Sequence, residues 1–217
     1  MSKVLGPPPW LVTIVGAKAS GKTELIRYLC YQYATDFQAI IVVSPTSLNG
    51  FYQKFLPEAH IHSEYDPALI EKILERQEKL KSQGKISNVL LVLDDILSSQ
   101  QTDFDKKKGN VLNKLWSANR HWHISVIFVT QRLRACPKMC RENSDWVLIC
   151  RTMRSAWDDI HDEFGTMDKK DFYKFLEDGT RDYGILRYKA NVSNASEHYS
   201  GFRLPAEFIN HNFRLKY

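Results

Sequence analysis

The chain has 217 residues, 43% of them hydrophobic and 25% charged, which is an ordinary balance for a soluble globular protein. That length predicts a single domain over residues 1–217 and is enough to bury a core without disulfides or metals. Thirty Lys and Arg against 25 Asp and Glu leave a net charge of +5, which is compatible with nucleic-acid contact without demonstrating it.

Cysteine usage argues against a disulfide-built protein. The four cysteines are Cys30, Cys136, Cys140 and Cys150. So few in a chain of this length favour a reducing compartment and buried or idle thiols. A zinc site combining the Cys136–Cys140 pair with His121 and His123 does not match the usual finger spacing, so we do not predict one. No signal peptide or membrane insertion is expected, because the apolar run 10–15 is far too short to cross a bilayer.

Short apolar segments rich in β-branched residues predict buried strands. In chain order these strands cover residues 11–15, 39–43, 89–93, 125–129, 146–150 and 184–188. Apolar residues at helical spacing predict helices over residues 24–33, 67–83, 110–121 and 155–176. The last helix is expected to break near Gly165.

Three further segments lack a regular pattern. Residues 48–65 are predicted as loop and short helix, residues 98–109 as a polar loop, and the tail as a basic, aromatic strand or loop. The alternation of strands with helices predicts an α/β fold with a parallel sheet that is covered on both faces.

The segment Gly16–Thr23, GAKASGKT, fits the phosphate-binding pattern G-x-x-x-x-G-K-[ST]. Glycines let such a loop turn its N–H groups toward phosphate oxygens, and the following helix directs the positive end of its dipole at the anion. In this pattern Lys22 reaches the β- and γ-phosphates and the Thr23 hydroxyl binds magnesium. The alternative is a glycine-rich turn without a ligand, but the predicted strand before it and helix after it are the context that the motif requires. The candidate nucleotide-binding residues are Gly16, Ala17, Lys18, Ala19, Ser20, Gly21, Lys22, Thr23 and Glu24.

Two adjacent carboxylates end the predicted strand at residues 89–93. Asp94 and Asp95 repel each other unless a cation or a dedicated role offsets the repulsion. In a nucleotide site, Asp94 is expected to hold magnesium, largely through water, and Asp95 to orient and polarise the attacking water. The alternative is a solvated strand end or a helix cap.

Polar residues also follow the predicted strand at residues 125–129. Gln131 stands where a side chain hydrogen-bonds the γ-phosphate or the attacking water, although a loop glutamine remains an alternative. Phosphoryl transfer also needs positive charge at the transition state, often from an arginine finger. The candidates for that charge are Arg120, Arg132, Arg134, Arg141 and, within the loop itself, Lys18.

Five segments together carry a resemblance to a known family. They are GAKASGKT at 16–23, IIVVSPT at 40–46, LLVLDD at 90–95, ANRHWHISVIFVTQR at 118–132 and RENSDW at 141–146. They resemble the DNA-packaging ATPases of large double-stranded DNA viruses, the poxvirus-type branch of the FtsK–HerA clan. The resemblance covers about residues 11–150, and residues 151–217 carry no recognisable motif.

The resemblance implies a three-layer, RecA-like P-loop NTPase fold with a mainly parallel central sheet flanked by helices. In that fold the strand before Gln131 lies between the phosphate-loop strand and the acidic strand, and residues 151–217 complete the sheet. Arg120 matches the position of a finger that acts on a neighbouring subunit's ATP, and Arg141 is the second choice. Asp95 departs from the longer Glu that is common in the wider clan, so its water has to lie closer.

The resemblance also implies cofactors and partners. These are ATP and Mg²⁺, a homo-oligomeric ring (pentamer or hexamer) with ATP at its subunit interfaces, double-stranded DNA in its pore, and a docking partner at the capsid or portal vertex. The implied location is the infected host cell, in the cytoplasm or viral factory, or the virion.

The leading hypothesis is therefore an ATP-hydrolysing DNA translocase that packages a viral genome. Lys106–Lys108 is the candidate DNA-facing segment, with a solvated polar loop as the alternative. A second hypothesis is a small-molecule or nucleotide kinase on a P-loop scaffold, although no clear lid is visible. A third is a nucleotide-dependent regulatory switch, which predicts very slow turnover and a monomer with or without ATP.

Overall fold

A computed structural model of the chain describes residues 3–96 and 110–217. The predicted polar loop at residues 98–109, with the Lys106–Lys108 segment, lies outside the described residues. The strands are β1 (Leu11–Val15), β2 (Ala39–Val43), β3 (Ile61–His62), β4 (Val89–Asp94), β5 (Ile124–Thr130), β6 (Trp146–Ile149), β7 (Ile185–Lys189) and β8 (Tyr199–Phe202). The helices are α1 (Lys22–Gln32), α2 (Pro67–Ser82), α3 (Val111–Ala118), α4 (Lys138–Glu142), α5 (Trp157–Phe164), α6 (Lys169–Thr180) and α7 (Ala206–Ile209).

All eight strands of the described part of the chain join one sheet in the order β3-β2-β4-β5-β1-β6-β7-β8. Strands β1 to β6 are parallel, whereas β7 and β8 add an antiparallel edge. Strand β5 lies between β1 and β4, with Val15 opposite Thr130 and Asp94 opposite Val129. This arrangement confirms the predicted position of β5 between the phosphate-loop strand and the acidic strand.

The three central strands β1, β4 and β5 are buried at every position because helices cover both faces of the sheet. On one face, α1 packs Leu25 and Leu29 against Ile14. On the other face, helices α2 and α3 pack against the opposite side chains of the same strands, such as Phe128. A third apolar cluster holds α5 and α6 against β6 and β7.

The helix ends follow local sequence signals. Asp66 caps α2 by accepting from the Ala68 N–H at 2.9 Å, with Pro67 as the first helical residue. Asn110 and Asp168 cap α3 and α6 in the same way. The predicted break near Gly165 separates α5 from α6.

Three short elements, β3, α4 and α7, were not predicted from the sequence. The short strand β3 lies inside residues 48–65, which were predicted as loop and short helix. In the tail, which was predicted as strand or loop, β8 agrees with that prediction, whereas the one-turn helix α7 does not. Among the described residues, no helix combines the length and apolar character needed to cross a bilayer.

Candidate active site

The phosphate-binding loop connects the carboxyl end of β1 to the first residue of α1. The Gly16 N–H donates to the Thr130 carbonyl at 3.2 Å, and the Ala17 N–H donates to the Arg151 carbonyl at 2.8 Å. These two bonds fix the loop to the last residue of β5 and to the segment that follows β6. The middle of the sheet therefore positions the loop at the carboxyl edge, where open α/β sheets bind ligands.

The loop conformation depends on its small residues. A Cβ atom at Gly16 would lie 2.5 Å from Ser20 Oγ and 2.8 Å from Cys150 Cβ, so a side chain at this position does not fit. Ala19 and Gly21 both have positive φ angles, 58° and 91°. The G-x-x-x-x-G spacing therefore corresponds to a tight turn that brings the backbone around a central space.

The N-terminus of α1 differs from those of α2, α3 and α6, because no side chain caps it. Its first N–H groups are available to an anion, and the helix dipole favours negative charge at this point. Ser20 Oγ is buried in the loop and has no hydrogen-bond partner among the described residues. These donors fit a polyphosphate group, which is the ligand that the motif predicts.

Lys22 directs its ammonium group into the loop. Its Nζ atom donates to the carbonyls of Gly16 at 2.8 Å and Ala17 at 2.9 Å. Burial lowers the pKa of Lys22, and the negative charges of Asp94 and Asp95 oppose that shift. Burial also raises the pKa of Cys150 to about 12, so its thiol is neutral at pH 7 and the two carboxylates are the counter-charges.

Asp94 is the last residue of β4 and is 6% exposed. Its Oδ2 atom accepts hydrogen bonds from the Tyr52 hydroxyl at 2.7 Å and the Ser44 hydroxyl at 3.1 Å. Burial raises the pKa of Asp94, whereas these two hydrogen bonds lower it. Burial raises the pKa of Tyr52 well above its ordinary value, so the phenol keeps its proton and donates. Asp94 is thus a positioned carboxylate close to Lys22.

Asp95 and Gln131 meet at the same edge of the sheet. The Gln131 side-chain amide donates to Asp95 Oδ2 at 2.7 Å, and the Asp95 N–H donates to the Val129 carbonyl at 3.2 Å. Asp95 has a φ angle of 55°, a conformation that non-glycine residues seldom adopt and that often occurs at functional sites. The structure therefore joins the predicted water-orienting acid to the predicted sensor.

A magnesium ion fits the residues at this edge. Hydroxyl and carboxylate oxygens such as those of Thr23 and Asp94 are the ligand types that Mg²⁺ prefers, and it keeps water and phosphate oxygens as its other ligands. The described residues contain no group of three or more His, Cys, Asp or Glu side chains that is suited to a metal ion. A magnesium site completed by phosphate and water does not need such a group. The four cysteines are buried, in agreement with their interpretation as core thiols.

Arg120 lies at the opposite edge of the sheet, between the end of α3 and the start of β5. Its Nη2 atom is 2.6 Å from Asp145 Oδ1, and Asp145 Oδ2 accepts from the Leu11 N–H at 2.8 Å. Strand β1 separates this edge from the phosphate loop by roughly 15 Å, the length of five extended residues. The Arg120 side chain is 68% exposed.

The other arginine candidates have different surroundings. Arg141 is only 14% exposed, and its guanidinium donates to the Cys136 carbonyl and lies 3.2 Å from Glu163. Arg132 and Arg134 line a 710 Å³ cavity beside the phosphate loop, together with Lys18 and Gln131. The structure therefore places two arginines near this chain's own loop and holds Arg141 inside its own subunit.

Two residues of the site were missed by the sequence analysis, namely Ser44 and Tyr52, which bond Asp94. Ser44 directly follows β2, which neighbours β4, so its place at a strand's carboxyl end was a usable signal. Tyr52 stands in an irregular segment with short helical turns and gave no such signal.

The sequence is similar to viral proteins. A family model described as "Poxvirus A32 protein" matches residues 2–196. Protein 075L of Invertebrate iridescent virus 6 is 29% identical over 194 residues, which cover 87% of this chain and 73% of that protein. Protein 015R of Frog virus 3 is 26% identical over 166 residues, which cover 75% of this chain and 50% of that protein.

The fold is similar to solved ATPase structures. The genome packaging NTPase B204 of Sulfolobus turreted icosahedral virus 2, in complex with ATPγS, has a TM-score of 0.66 at 20% identity. That match covers 92% of this chain and 98% of B204. EssC (ATPases 2 and 3) of Geobacillus thermodenitrificans has a TM-score of 0.60 at 13% identity, covering 84% of this chain and 38% of EssC. These likenesses confirm the predicted RecA-like P-loop fold.

Proposed function

This chain belongs to the poxvirus A32 protein family and is a P-loop ATPase, and we propose that it packages a double-stranded DNA viral genome by ATP-driven translocation. The family match confirms the resemblance seen in the motifs. The proposal depends mainly on one observation: Lys22, Asp94 and the hydrogen-bonded Asp95–Gln131 pair lie together at one edge of the sheet.

For hydrolysis, we assign a role to each side chain at this edge. Lys22 binds the β- and γ-phosphates, and the open N–H groups at the start of α1 bind phosphate oxygens. Asp95 orients the attacking water, and Gln131 holds Asp95 in place through its 2.7 Å hydrogen bond. Thr23 and Asp94 hold magnesium, which when bound neutralises charge on the phosphate oxygens.

Arg120 acts, in this proposal, on the ATP of a neighbouring subunit. Support comes from its place at the amino edge, from its exposure, and from the strand length that separates it from its own phosphate loop. Arg141, the second choice, is engaged with Cys136 and Glu163 of its own chain, which favours Arg120. A finger in trans requires a neighbouring subunit, and we propose a ring, a pentamer or hexamer, with ATP at each interface.

The proposed substrate of translocation is duplex DNA, which the protein binds through the phosphates and not through the bases. The net charge of +5 supports such contact, and Lys106–Lys108 stays the proposed DNA-facing segment. Packaging further requires a docking partner at the capsid or portal vertex. We place this activity inside the infected host cell, in the cytoplasm or viral factory or on the assembling virion.

The test combines the ATPase rate with solution mass. ATP hydrolysis is expected to rise when double-stranded DNA is added, and the mass in the presence of ATP is expected to be five or six times that of one chain. The purified protein is also expected to displace a third strand from a triplex only with hydrolysable ATP. An ATPase rate that does not change when DNA is added, together with no strand displacement, contradicts the translocase hypothesis. Phosphate appearing on a nucleotide or metabolite supports the kinase hypothesis instead.

A further inference from the structure

A second cavity, of 460 Å³, lies beside the phosphate loop and is separate in its lining from the cavity near Gln131. Its walls come from the start of α1 and from the C-terminal part of the chain. They include Gly21, Glu24, Tyr183, Ile185, Leu204 and Ile209. Ser20, Asp182, Arg203 and Ala206 also line it, so polar and charged side chains stand beside the apolar and aromatic ones. A cavity of this size falls within the roughly 300–1,000 Å³ range of small-molecule sites.

Tyr183 is held over the loop by an unusual backbone. Asp182 and Tyr183 both have positive φ angles, 51° and 59°, which are unfavourable for residues with side chains. The Tyr183 ring is 66% exposed, and its Cδ1 atom lies 3.3 Å from the place of a Cβ at Gly21. Gly184 permits this turn, since a Cβ there would lie 2.3 Å from the Gly179 carbonyl. An exposed aromatic ring is therefore fixed beside the loop.

Arg27 of α1 fixes the opposite wall. Its guanidinium donates to the carbonyls of Phe208 at 3.0 Å, Ile209 at 3.1 Å and His211 at 2.7 Å, and its Nε atom is 2.7 Å from Glu24. It also lies 4.3 Å from the centre of the Phe208 ring. The helix that follows the phosphate loop thus holds the tail that closes the cavity.

The two cavities beside the loop differ in chemistry. The cavity near Gln131 is lined by Lys18, Arg132, Arg134 and Asp159, which suits the charged γ-phosphate side of a nucleotide. The second cavity is also lined by charged side chains, those of Glu24, Asp182 and Arg203, but it adds what the first cavity lacks: the exposed Tyr183 ring beside the apolar side chains of Ile185, Leu204 and Ile209. A nucleobase is planar and has apolar faces that stack on aromatic side chains.

We propose that the second cavity binds the base of ATP, with Tyr183 as its stacking platform and Leu204 and Ile209 as its apolar walls. This inference rests on the proposed function, because it needs the triphosphate in the Gly16–Thr23 loop. It gives residues 183–209, outside the recognised motifs, a direct part in nucleotide recognition.

The test compares a ligand that has a base with one that does not. Affinities for ATP and for inorganic tripolyphosphate are measured by calorimetry in magnesium buffer. Tyr183→Ala is expected to weaken ATP binding about tenfold, in line with the loss of one base–aromatic stack, and to leave tripolyphosphate binding within about twofold. Tyr183→Phe is expected to bind both ligands like the unmodified chain.

Two further variants serve as a second probe and a control. Ile209→Asp changes a 60% exposed side chain and puts a carboxylate in the cavity, so it is expected to weaken ATP binding and spare tripolyphosphate. Ile86→Ala alters a 73% exposed side chain outside the cavity and is expected to change neither affinity. Equal effects of Tyr183→Ala on both ligands, or no effect on ATP, overturn the base site and leave the proposed function standing. If the unmodified chain binds neither ligand, the proposed function fails and this inference fails with it.

Discussion

The two edges of the central sheet carry different halves of a proposed reaction centre. At the carboxyl edge, Gln131 bonds Asp95, and the charges of Asp94 and Asp95 act on Lys22 of the phosphate loop. Close packing leaves no room for a side chain at Gly16. At the amino edge, Arg120 is 68% exposed and bonds only to Asp145 among the partners that the described residues show. The carboxyl edge thus gathers its predicted site residues from one chain. The amino edge instead exposes the positive charge of Arg120 to the solvent.

The difference follows from the parallel sheet. Strands β1, β4 and β5 run in the same direction, so the residues after them meet at one edge and the residues before them at the other. A cation that precedes β5 cannot reach the phosphate loop that follows β1. A finger from this position has to act on another subunit, and the predictions below test that separation in order of expected effect.

Lys22→Ala is expected to reduce ATP binding and hydrolysis to background. The ammonium is the cation that the loop itself supplies to the β- and γ-phosphates, and its removal leaves Asp94 and Asp95 facing them unopposed. Calorimetric binding and phosphate release measure the effect. Lys72→Ala, on the exposed face of α2, is the matched control, and unchanged turnover in Lys22→Ala contradicts the loop assignment.

Arg120→Ala is expected to retain ATP binding and to lose at least about 10³-fold in hydrolysis rate, the lower end of the usual effect of an arginine finger. Mixing Arg120→Ala subunits with Lys22→Ala subunits is expected to restore part of the activity, because each supplies the half that the other lacks. Phosphate release measured across mixing ratios reports the rescue. Absence of rescue at every ratio argues that the two edges do not form a shared site.

Asp95→Asn is expected to keep ATP binding and to lose about 10²-fold or more in hydrolysis, the contribution of a positioned acid or base. Asparagine keeps the size of the side chain and its acceptor oxygen for Gln131, so the loss reports the missing charge. Single-turnover hydrolysis separates this step from binding. Full activity in Asp95→Asn means that another group orients the water.

Tyr52→Phe is expected to have the smallest effect, about a tenfold increase in the magnesium concentration needed for half-maximal hydrolysis. The Tyr52 hydrogen bond lowers the pKa of Asp94, so its loss lets that pKa rise, and the deficit is expected to grow as the pH falls. Magnesium titrations at several pH values measure it. Tyr217→Phe is the control, and identical titration curves for Tyr52→Phe show that Tyr52 does not position Asp94.

The sequence by itself determined much of the carboxyl edge. Runs of apolar residues predicted the buried strands, and the G-x-x-x-x-G-K-[ST] motif predicted the phosphate loop. Both patterns involve residues that are close together in the chain. The predicted bounds of β1 and β2 agree with the structure, those of β4 and α2 differ by one residue at one end, and those of β5 differ by one residue at each end. Asp94, Asp95 and Gln131 were found because each follows such a strand.

Only the tertiary structure decided which residues meet across long stretches of chain. Tyr52 reaches Asp94, Arg27 holds the tail at residues 208–211, and Tyr183 overhangs Gly21, yet none of these pairs carries a pattern at short range. It likewise showed that Arg120 and Arg141 differ in exposure although both are plain arginines in the sequence. Spacing encodes contacts between near neighbours, whereas contacts between distant residues arise from how the sheet orders its strands and what packs against its edges.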